Sequence, residues 1–423
     1  MFKWNIFFNE TLKNASKLLV GTVIAQIIPI VFSFYIARIF SDESFGVYGL
    51  YMSTVSILFV IVNLKYETTI LLPKKEEDAN VLVVLSVFFS VLIALLLFLG
   101  LLLYKFDLLY FAKWNNDRLW MFMTPLAVFF VGVYQPFNYW LIRKKKYTSS
   151  SINKITQRIV ETPFNIFFGK SGLLYGLIYG DSIGRLSMTL QAIYQSFKAG
   201  FTYKNVTKIK LKAMAVRYKS FAFINTLPSL ANALATHAPL FIVTKQFGIE
   251  IAGQLTLVRT VLSIPVSLIS NNISQVVFQQ VSERVANNKE FKSILRNVLL
   301  LLISLSVGMS ILFIPFGEYI FKLYGDKWDM AGFMSQILVV SFSFKFLISS
   351  FSKILLSLEK IKWVSIWQII YLIMIVSLFF ISESSSLNLV KFLYLYLAID
   401  ILAYLIYAWF ISKAIKEYHL KIN

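Results

Sequence analysis

Ionisable side chains lie inside stretches of this sequence that are otherwise apolar. A charge at the centre of a bilayer costs roughly 2.5–3.5 kcal/mol on insertion scales, so these residues are candidate functional groups. The basic members are Arg38, Lys65, Arg185, Arg259, Lys345 and Lys353, and the acidic members are Glu67, Glu161, Asp181 and Asp400. The basic surplus favours an anionic substrate, such as a pyrophosphate or a uronic acid, because guanidinium binds phosphate and carboxylate in bidentate geometry.

Two pairs of these residues have informative spacing. Asp181 and Arg185 are four residues apart and share one face of a helix, so an internal ion pair and a ligand role are both open. Lys65 and Glu67 are two residues apart and face different directions. We therefore do not expect them simply to neutralise each other.

Further polar residues recur at helical spacing and define faces turned away from lipid. They are Thr22, Gln26 and Ser33; Gln157, Glu161 and Asn165; Asn225, Ser229, Asn232 and Thr236; and Arg259, Ser263, Ser267 and Ser270. Hydroxyl and amide groups in such stripes either hydrogen-bond neighbouring helices or line a hydrated cavity. Because two of the four stripes carry a full charge, we predict a cavity whose lining also includes Gln26 and Asn232.

Transmembrane helices must position these side chains. The chain is 58% hydrophobic and 15% charged, and its apolar blocks reach the roughly 20 residues that cross a bilayer. The alternating pattern of a membrane barrel is absent, so we predict an all-α integral membrane fold. About twelve spans are predicted, near residues 15–40, 45–72, 81–104, 119–142, 151–169, 172–197, 221–246, 252–280, 292–315, 331–356, 363–382 and 388–412.

The basic residues are concentrated in alternate loops. With the N-terminus inside, about 27 of the 41 lysine and arginine residues fall on the inner side, Lys154 and Arg158 among them, against about 7 outside. This bias predicts that both termini are cytoplasmic. The formal net charge of +20 is not gathered in one basic domain, so nucleic acid is not a predicted partner.

The longest basic loop divides the chain into two sets of six spans. This predicts an N-terminal lobe over residues 1–200, a cytoplasmic linker over 201–220 and a C-terminal lobe over 221–423. The outer loops 106–115 and 316–329 both end in Lys-Trp followed by Asn or Asp. Each Trp alone fits an aromatic belt, but their correspondence favours parallel repeats. Two such bundles facing one another form a central cavity, which is a transporter architecture.

Residues for several other chemistries are missing or isolated. The chain has no cysteine, and its two histidines, His237 and His419, are far apart in sequence. A metal site is therefore not predicted. The sequence also lacks a Walker motif, paired loop carboxylates and a Ser-His-Asp set, so a transporter is favoured over an enzyme.

The first two predicted spans contain a series of short motifs. They read Lys17-Leu18-Leu19-Val20-Gly21-Thr22-Val23-Ile24-Ala25-Gln26-Ile27-Ile28-Pro29-Ile30, Arg38-Ile39-Phe40-Ser41, Phe45-Gly46-Val47-Tyr48, Lys65-Tyr66-Glu67 and Ile70-Leu71-Leu72-Pro73. This series resembles the N-terminal signature of the polysaccharide repeat-unit flippases of the Wzx type, most strongly over residues 17–80. Arg259, followed by Pro265 and Gln275-Val276-Val277-Phe278, is similar to their eighth span.

The resemblance implies the multidrug/oligosaccharidyl-lipid/polysaccharide (MOP) exporter superfamily, with two six-helix lobes and the MATE-like fold. It implies flipping of undecaprenyl-pyrophosphate-linked repeat units of O-antigen, capsule or exopolysaccharide to the outer leaflet of the bacterial inner membrane. Coupling to H⁺ or Na⁺, without a bound cofactor, is also implied. The implied partners are the lipid-linked oligosaccharide, membrane lipids, a polysaccharide polymerase and a chain-length regulator. Family cavity charges map onto Arg38, Lys65, Glu67 and Arg259, and family members often carry Arg at the position of Lys65.

Two alternatives remain open at this point. A cation-coupled multidrug exporter of the MATE type shares the expected fold, although its cavity would favour acidic lining. A membrane glycosyltransferase or polysaccharide polymerase would carry a large outer loop with acidic or Arg catalytic groups. The longest outer loops predicted in this sequence have only about 14 residues, which disfavours that alternative.

Overall fold

The computed structural model describes residues 25–105 and 119–422, and this part of the chain is helical with no strand. Predictions that involve Thr22, the first motif up to residue 24, or the outer loop 106–115 lie outside the described residues. The side chains of Asn225 and Ser267 lie outside them as well.

The described part of the first half contains seven helices before the predicted linker. They are α1 (Ala25–Ile39), α2 (Asp42–Ile61), α3 (Tyr66–Thr69), α4 (Glu76–Lys105), α5 (Leu119–Arg143), α6 (Tyr147–Lys170) and α7 (Gly176–Lys198). The 40-residue helix α8 (Lys208–Phe247) follows.

The second half continues with α9 (Ile249–Pro265), a π-helical turn (Val266–Ser270), α10 (Asn271–Ala286), α11 (Lys292–Lys322), α12 (Asp329–Ser349), α13 (Ile354–Ser357), α14 (Ile361–Ser384) and α15 (Leu389–Ile422). Three predicted spans are each divided into two helices, α2 with α3, α9 with α10, and α12 with α13. With these pairs counted once, the helices follow the order of the twelve predicted spans.

Within the described ranges, nine helices are long and apolar enough to cross a membrane. The described part of α1 is shorter, and α6 and α7 are less apolar because polar residues fill their buried faces. Apolar side chains such as Ile159, Phe167, Leu190 and Tyr194 are exposed on the outer faces of these two helices. This distribution, with polar side chains inside and apolar side chains outside, is the reverse of that in a water-soluble bundle. It suits a helix pair that is surrounded by lipid.

The second predicted span is interrupted near one end. The span predicted near residues 45–72 contains two helices, since α2 ends at Ile61 and α3 begins at Tyr66. Leu64 and Lys65, with φ angles of 49° and 62°, adopt the left-handed conformation that ends a helix. Hydropathy places the span but does not register the left-handed turn that divides it.

Asn63 fixes this interruption from within the core. Its side-chain nitrogen lies 3.0 Å from the Ser86 carbonyl, 2.7 Å from the Ser90 hydroxyl and 3.0 Å from the Gly132 carbonyl. A Cβ on Gly132 would come within 2.8 Å of the Ser90 hydroxyl oxygen, so the close approach requires glycine. The end of α2 is thus tied to both α4 and α5.

The outer loop predicted at residues 316–329 is shorter than expected. Helix α11 continues to Lys322, and a six-residue connection, which ends in a 3₁₀ turn at Asp326–Trp328, leads to α12. Trp328 is fully buried, and the amide of Gln254 donates to the carbonyl of Lys327 at 2.8 Å. Trp328 is therefore a core residue and does not belong to an aromatic belt.

The chain forms two compact units, Met1–Leu230 and Ala231–Asn423. Helix α8 runs without interruption through the boundary between them. Most of the predicted linker 201–220 is the beginning of this helix, so it is ordered secondary structure. The lobe boundaries given above stay a prediction.

Candidate functional site

The first unit contains a polar cavity of about 380 Å³, within the size range of small-molecule sites. It is lined by Ala25, Gln26, Val55, Ser56, Phe59, Val131, Tyr134, Gln135, Lys154, Gln157, Arg158, Arg185 and Met188. The lining therefore draws on α1, α2, α5, α6 and α7. It includes three basic side chains, and no carboxylate belongs to this set of lining residues.

Helix α6 supplies two of the three cations. Lys154, Gln157 and Arg158 lie three and four residues apart, which places them on one helical face. The Arg158 Nη1 donates to Glu161 Oε2 at 2.7 Å. Glu161 is buried behind the lining, so it compensates the charge of Arg158 without facing the cavity.

Helix α7 supplies the third cation through a buried network. The Nε of Arg185 donates to Oδ2 of Asp181 at 2.5 Å, and the Tyr51 hydroxyl donates to the same oxygen at 2.9 Å. Asp181 is fully buried, while Arg185 reaches the cavity. An internal ion pair and a role in ligand binding are thus compatible, since Arg185 is paired with Asp181 and also lines the cavity.

Glycine residues bring α6 and α7 close together. A Cβ on Gly184 would lie 2.9 Å from the Gln157 carbonyl oxygen and 2.9 Å from Glu161 Cβ, and one on Gly180 would overlap the side chain of Asn165. Without a side chain at these positions, the polar faces of the two helices meet directly. This contact sets the positions of the basic groups.

The charge around the cavity is unequally distributed. Lys154, Arg158 and Arg185 outnumber the two carboxylates of Glu161 and Asp181, which leaves one positive charge in excess. Both carboxylates are buried and neither belongs to the lining, so the charged groups that a ligand would meet are basic. Such a lining can bind a phosphate or carboxylate by charge-assisted hydrogen bonds.

Gln26 is among the lining residues, whereas Arg38, Lys65 and Glu67 do not line this cavity. Arg38 is exposed at the end of α1. Lys65 is half-buried in the left-handed turn before α3, and Glu67 is buried with Oε2 lacking a hydrogen-bond partner among the described residues. No ion pair joins Lys65 and Glu67 in the described part of the chain, as their spacing led us to expect.

Sequence reasoning missed Lys154 and Arg158 as site residues. Both were counted as topology signals of an inner loop, but α6 begins at Tyr147 and carries them into the cavity. The sequence did contain an indication of this role, because Lys154 and Arg158 lie at helical spacing from Gln157 and Glu161. The basic run at residues 143–146 is close by, however, and made the two residues resemble part of the same loop.

The second unit contains a different buried carboxylate, Asp400, which was predicted as a cavity residue. Asp400 on α15 accepts hydrogen bonds from the Tyr371 hydroxyl at 2.7 Å and from the Ser341 hydroxyl. Lys345, one turn further along α12, interacts electrostatically with Asp400 and with Arg259. The Tyr371 ring stacks on Trp367, with 5.4 Å between the ring centroids.

Three further predicted residues belong to this unit. Arg259 is half-buried, and its Nη2 donates to the Thr236 carbonyl on α8 at 2.7 Å. Asn232 is half-buried on α8, and Lys353 is half-buried where α13 begins. In the described part of the chain, no hydrogen bond or ion pair joins the side chain of Lys353 or of Asn232 to Asp400. Among the described residues there is no group of three His, Cys, Asp or Glu side chains that would hold a metal ion.

Residues 11–278 match the model of a protein family described as polysaccharide biosynthesis protein, which is well over half of the chain. The chain belongs to this family. The match confirms, at the level of the family, the resemblance noted in the first two spans and near Arg259. No curated protein matches the sequence significantly.

Solved structures share the fold of this polysaccharide biosynthesis family member at low sequence identity. An inward-facing multidrug resistance transporter of the MATE family aligns with a TM-score of 0.73 and 11% identity over 94% of this chain and 95% of its own. The lipid II flippase MurJ, in an inward closed conformation, aligns with a TM-score of 0.72 and 14% identity over 96% and 90%.

A MOP superfamily transporter from Pyrococcus furiosus, described as having a binding pocket of reverse polarity, aligns with a TM-score of 0.64 and 13% identity over 96% of each chain. At such identities these similarities establish the fold alone. The predicted all-α, MATE-like membrane fold is confirmed, and the chain is a multi-pass membrane protein.

Proposed function

We propose that this protein flips a lipid-linked oligosaccharide repeat unit across the bacterial inner membrane by alternating access. The observation that carries the proposal is the basic cavity formed by Lys154, Arg158 and Arg185 in a member of the polysaccharide biosynthesis family. A pyrophosphate-linked sugar presents the negative charge that such a lining binds. The shared fold of the lipid II flippase MurJ supports the same class of substrate.

A multidrug exporter of the MATE type is the competing function, because its fold is the same. Cationic drugs would meet three basic side chains in the described cavity of the first unit, and its carboxylates lie behind them. Like charges repel most strongly in a region of low dielectric constant. The cavity therefore favours the anionic substrate.

A deletion strain complemented with variants tests the proposal. Loss of the gene should abolish surface polysaccharide while its lipid-linked unit accumulates on the cytoplasmic side. Unchanged surface polysaccharide, together with altered drug susceptibility, would instead establish the multidrug exporter.

Complementation with Lys154→Gln tests the cavity itself. We expect export to fall by about tenfold or more, because one charge-assisted contact contributes about 1.5–3 kcal/mol. Lys170→Gln is the matched control, since Lys170 is exposed at the end of the same helix and does not line the cavity. Equal export by both variants, at equal protein level, would remove Lys154 from the site.

Energy coupling and partners follow from the same proposal. A gradient of H⁺ or Na⁺ would drive the cycle, and the flipped unit would pass to a polysaccharide polymerase under a chain-length regulator. Contacts between the protein and the oligosaccharide would determine which repeat unit is transported, whether of O-antigen, capsule or exopolysaccharide. Dissipating each ion gradient separately in vesicles that contain the protein identifies the coupling ion.

A further inference from the structure

The beginning of α8 presents a surface that the proposed function does not use. Residues 208–219 precede the apolar span predicted at residues 221–246, which continues the same helix. We call residues 208–219 the basic segment of α8. This segment has a face that packs on the first unit, an exposed apolar ridge, and basic residues on both sides of the ridge.

One face of the basic segment packs on the core of the first unit. Its members are Leu211, Met214, Ala215 and Tyr218. The Tyr66 hydroxyl donates to the Ala215 carbonyl at 2.9 Å. The core against which this face packs includes Ala79, at the start of α4, and Trp140, near the end of α5. The segment therefore lies beside the ends of two spans, where a helix leaves the hydrocarbon for the interface.

The opposite face carries exposed apolar side chains. Ile209 is 82% exposed and Val216 is 55% exposed. They are seven residues apart, which is about two helical turns, so they form one ridge that points away from the protein. Burying such a side chain is worth roughly 1.5–3 kcal/mol, and nothing in the first unit covers these two within the described residues.

Basic residues flank this ridge on both sides. Lys208, Lys212 and Lys219 lie on one flank, and Lys210 and Arg217, seven residues apart, lie on the other. Lys210 pairs with Glu77 at 3.3 Å. In the described part of the chain, no carboxylate lies within ion-pair distance of the three lysines on the first flank.

We propose that the basic segment of α8 lies in the membrane interface and binds anionic phospholipid headgroups. An apolar ridge bordered by cations is the pattern of a helix that inserts its ridge among acyl chains while its lysines contact phosphate. Its position beside the ends of α4 and α5 holds the ridge at that depth. The partner is the anionic lipid of one leaflet, and the binding does not depend on which substrate the protein transports.

The position of the ridge can be measured because the chain has no cysteine. Ile209→Cys and Val216→Cys, each carrying a nitroxide, are reconstituted in vesicles of phosphatidylcholine mixed with phosphatidylglycerol. We expect both labels to collide more with oxygen than with a water-soluble nickel complex. Lys289→Cys, at an exposed turn after α10, is the control and should show the reverse. Water-like accessibility at both ridge positions would overturn the proposal.

The lipid preference is tested with charge variants. The triple variant Lys208→Gln, Lys212→Gln, Lys219→Gln should lose the preference of the purified protein for retained phosphatidylglycerol over phosphatidylcholine, by about fivefold per lysine removed. The control removes three exposed lysines elsewhere, Lys289, Lys292 and Lys416, in the same way. Retention of the preference by the first triple, or equal loss in both, would overturn the assignment to α8.

Discussion

At the scale of single residues, the cavity of the first unit depends on charges that are compensated from behind. Asp181 is fully buried and holds Arg185, while Glu161 holds Arg158. A buried charge deprived of its partner is far more costly than the intact pair. The two carboxylates therefore act as positioning groups for the cations that a ligand would meet.

Arg185→Gln should destabilise the protein by roughly 3–5 kcal/mol, because Asp181 would keep, among the described residues, only its hydrogen bond from Tyr51. The midpoint of thermal unfolding of the purified protein measures this loss. Adding Asp181→Asn to Arg185→Gln should restore most of the stability, since the unpaired charge is then absent.

Export separates the structural role of Arg185 from a role in binding. We expect the Asp181→Asn, Arg185→Gln double variant to fold yet to export poorly, because one cation has left the cavity lining. Wild-type export by this stable double variant would show that Arg185 serves only the fold.

At the scale of helices, α6 and α7 are too polar to be stable in lipid alone. Their polar residues lie on the faces that meet each other, and glycines at positions 180 and 184 allow the two backbones to approach. Lipid then contacts the remaining apolar faces. The pair behaves as one element, whose shared interior is the polar wall of the cavity.

Gly184→Ala should lower the free energy of unfolding by about 1–3 kcal/mol. The new methyl group would clash with the Gln157 carbonyl and push α6 away from α7. Export should fall with it, since Arg158 and Arg185 would separate. Gly308→Ala is the control, as a Cβ there meets no atom within 4 Å. Equal unfolding midpoints for the two variants would contradict the close-packing account.

At the scale of the whole molecule, the charge of the loops predicts how the chain is inserted. About 27 of 41 basic residues were assigned to the inner side. The structure moves Lys154 and Arg158 from that set into a cavity, yet the bias remains strong. The basic segment of α8 lies on the same predicted side.

Reporter fusions test this orientation. Green fluorescent protein fused after Asn423 should fluoresce, and alkaline phosphatase fused there should be inactive, because the C-terminus is predicted to be cytoplasmic. Fusions after Gly325, in the turn between α11 and α12, should give the opposite pair of results. A phosphatase active at the C-terminus would reverse the predicted topology.

The sequence by itself determined the all-helical membrane fold, the order of the spans and the existence of buried polar faces. These properties depend on hydropathy and on periods of about 3.6 residues, which are local. The pairing of Asp181 with Arg185 could be foreseen for the same reason, as the two residues share one helix.

Only the tertiary structure decided which charges share a cavity. It brought Lys154 and Arg158 together with Arg185, and it left Arg38, Lys65 and Glu67 outside the lining. It also ended α2 at Ile61, where Asn63 reaches Gly132 across a separation of 69 residues. How helices rotate and where they approach is set by contacts between distant residues, which no local pattern contains.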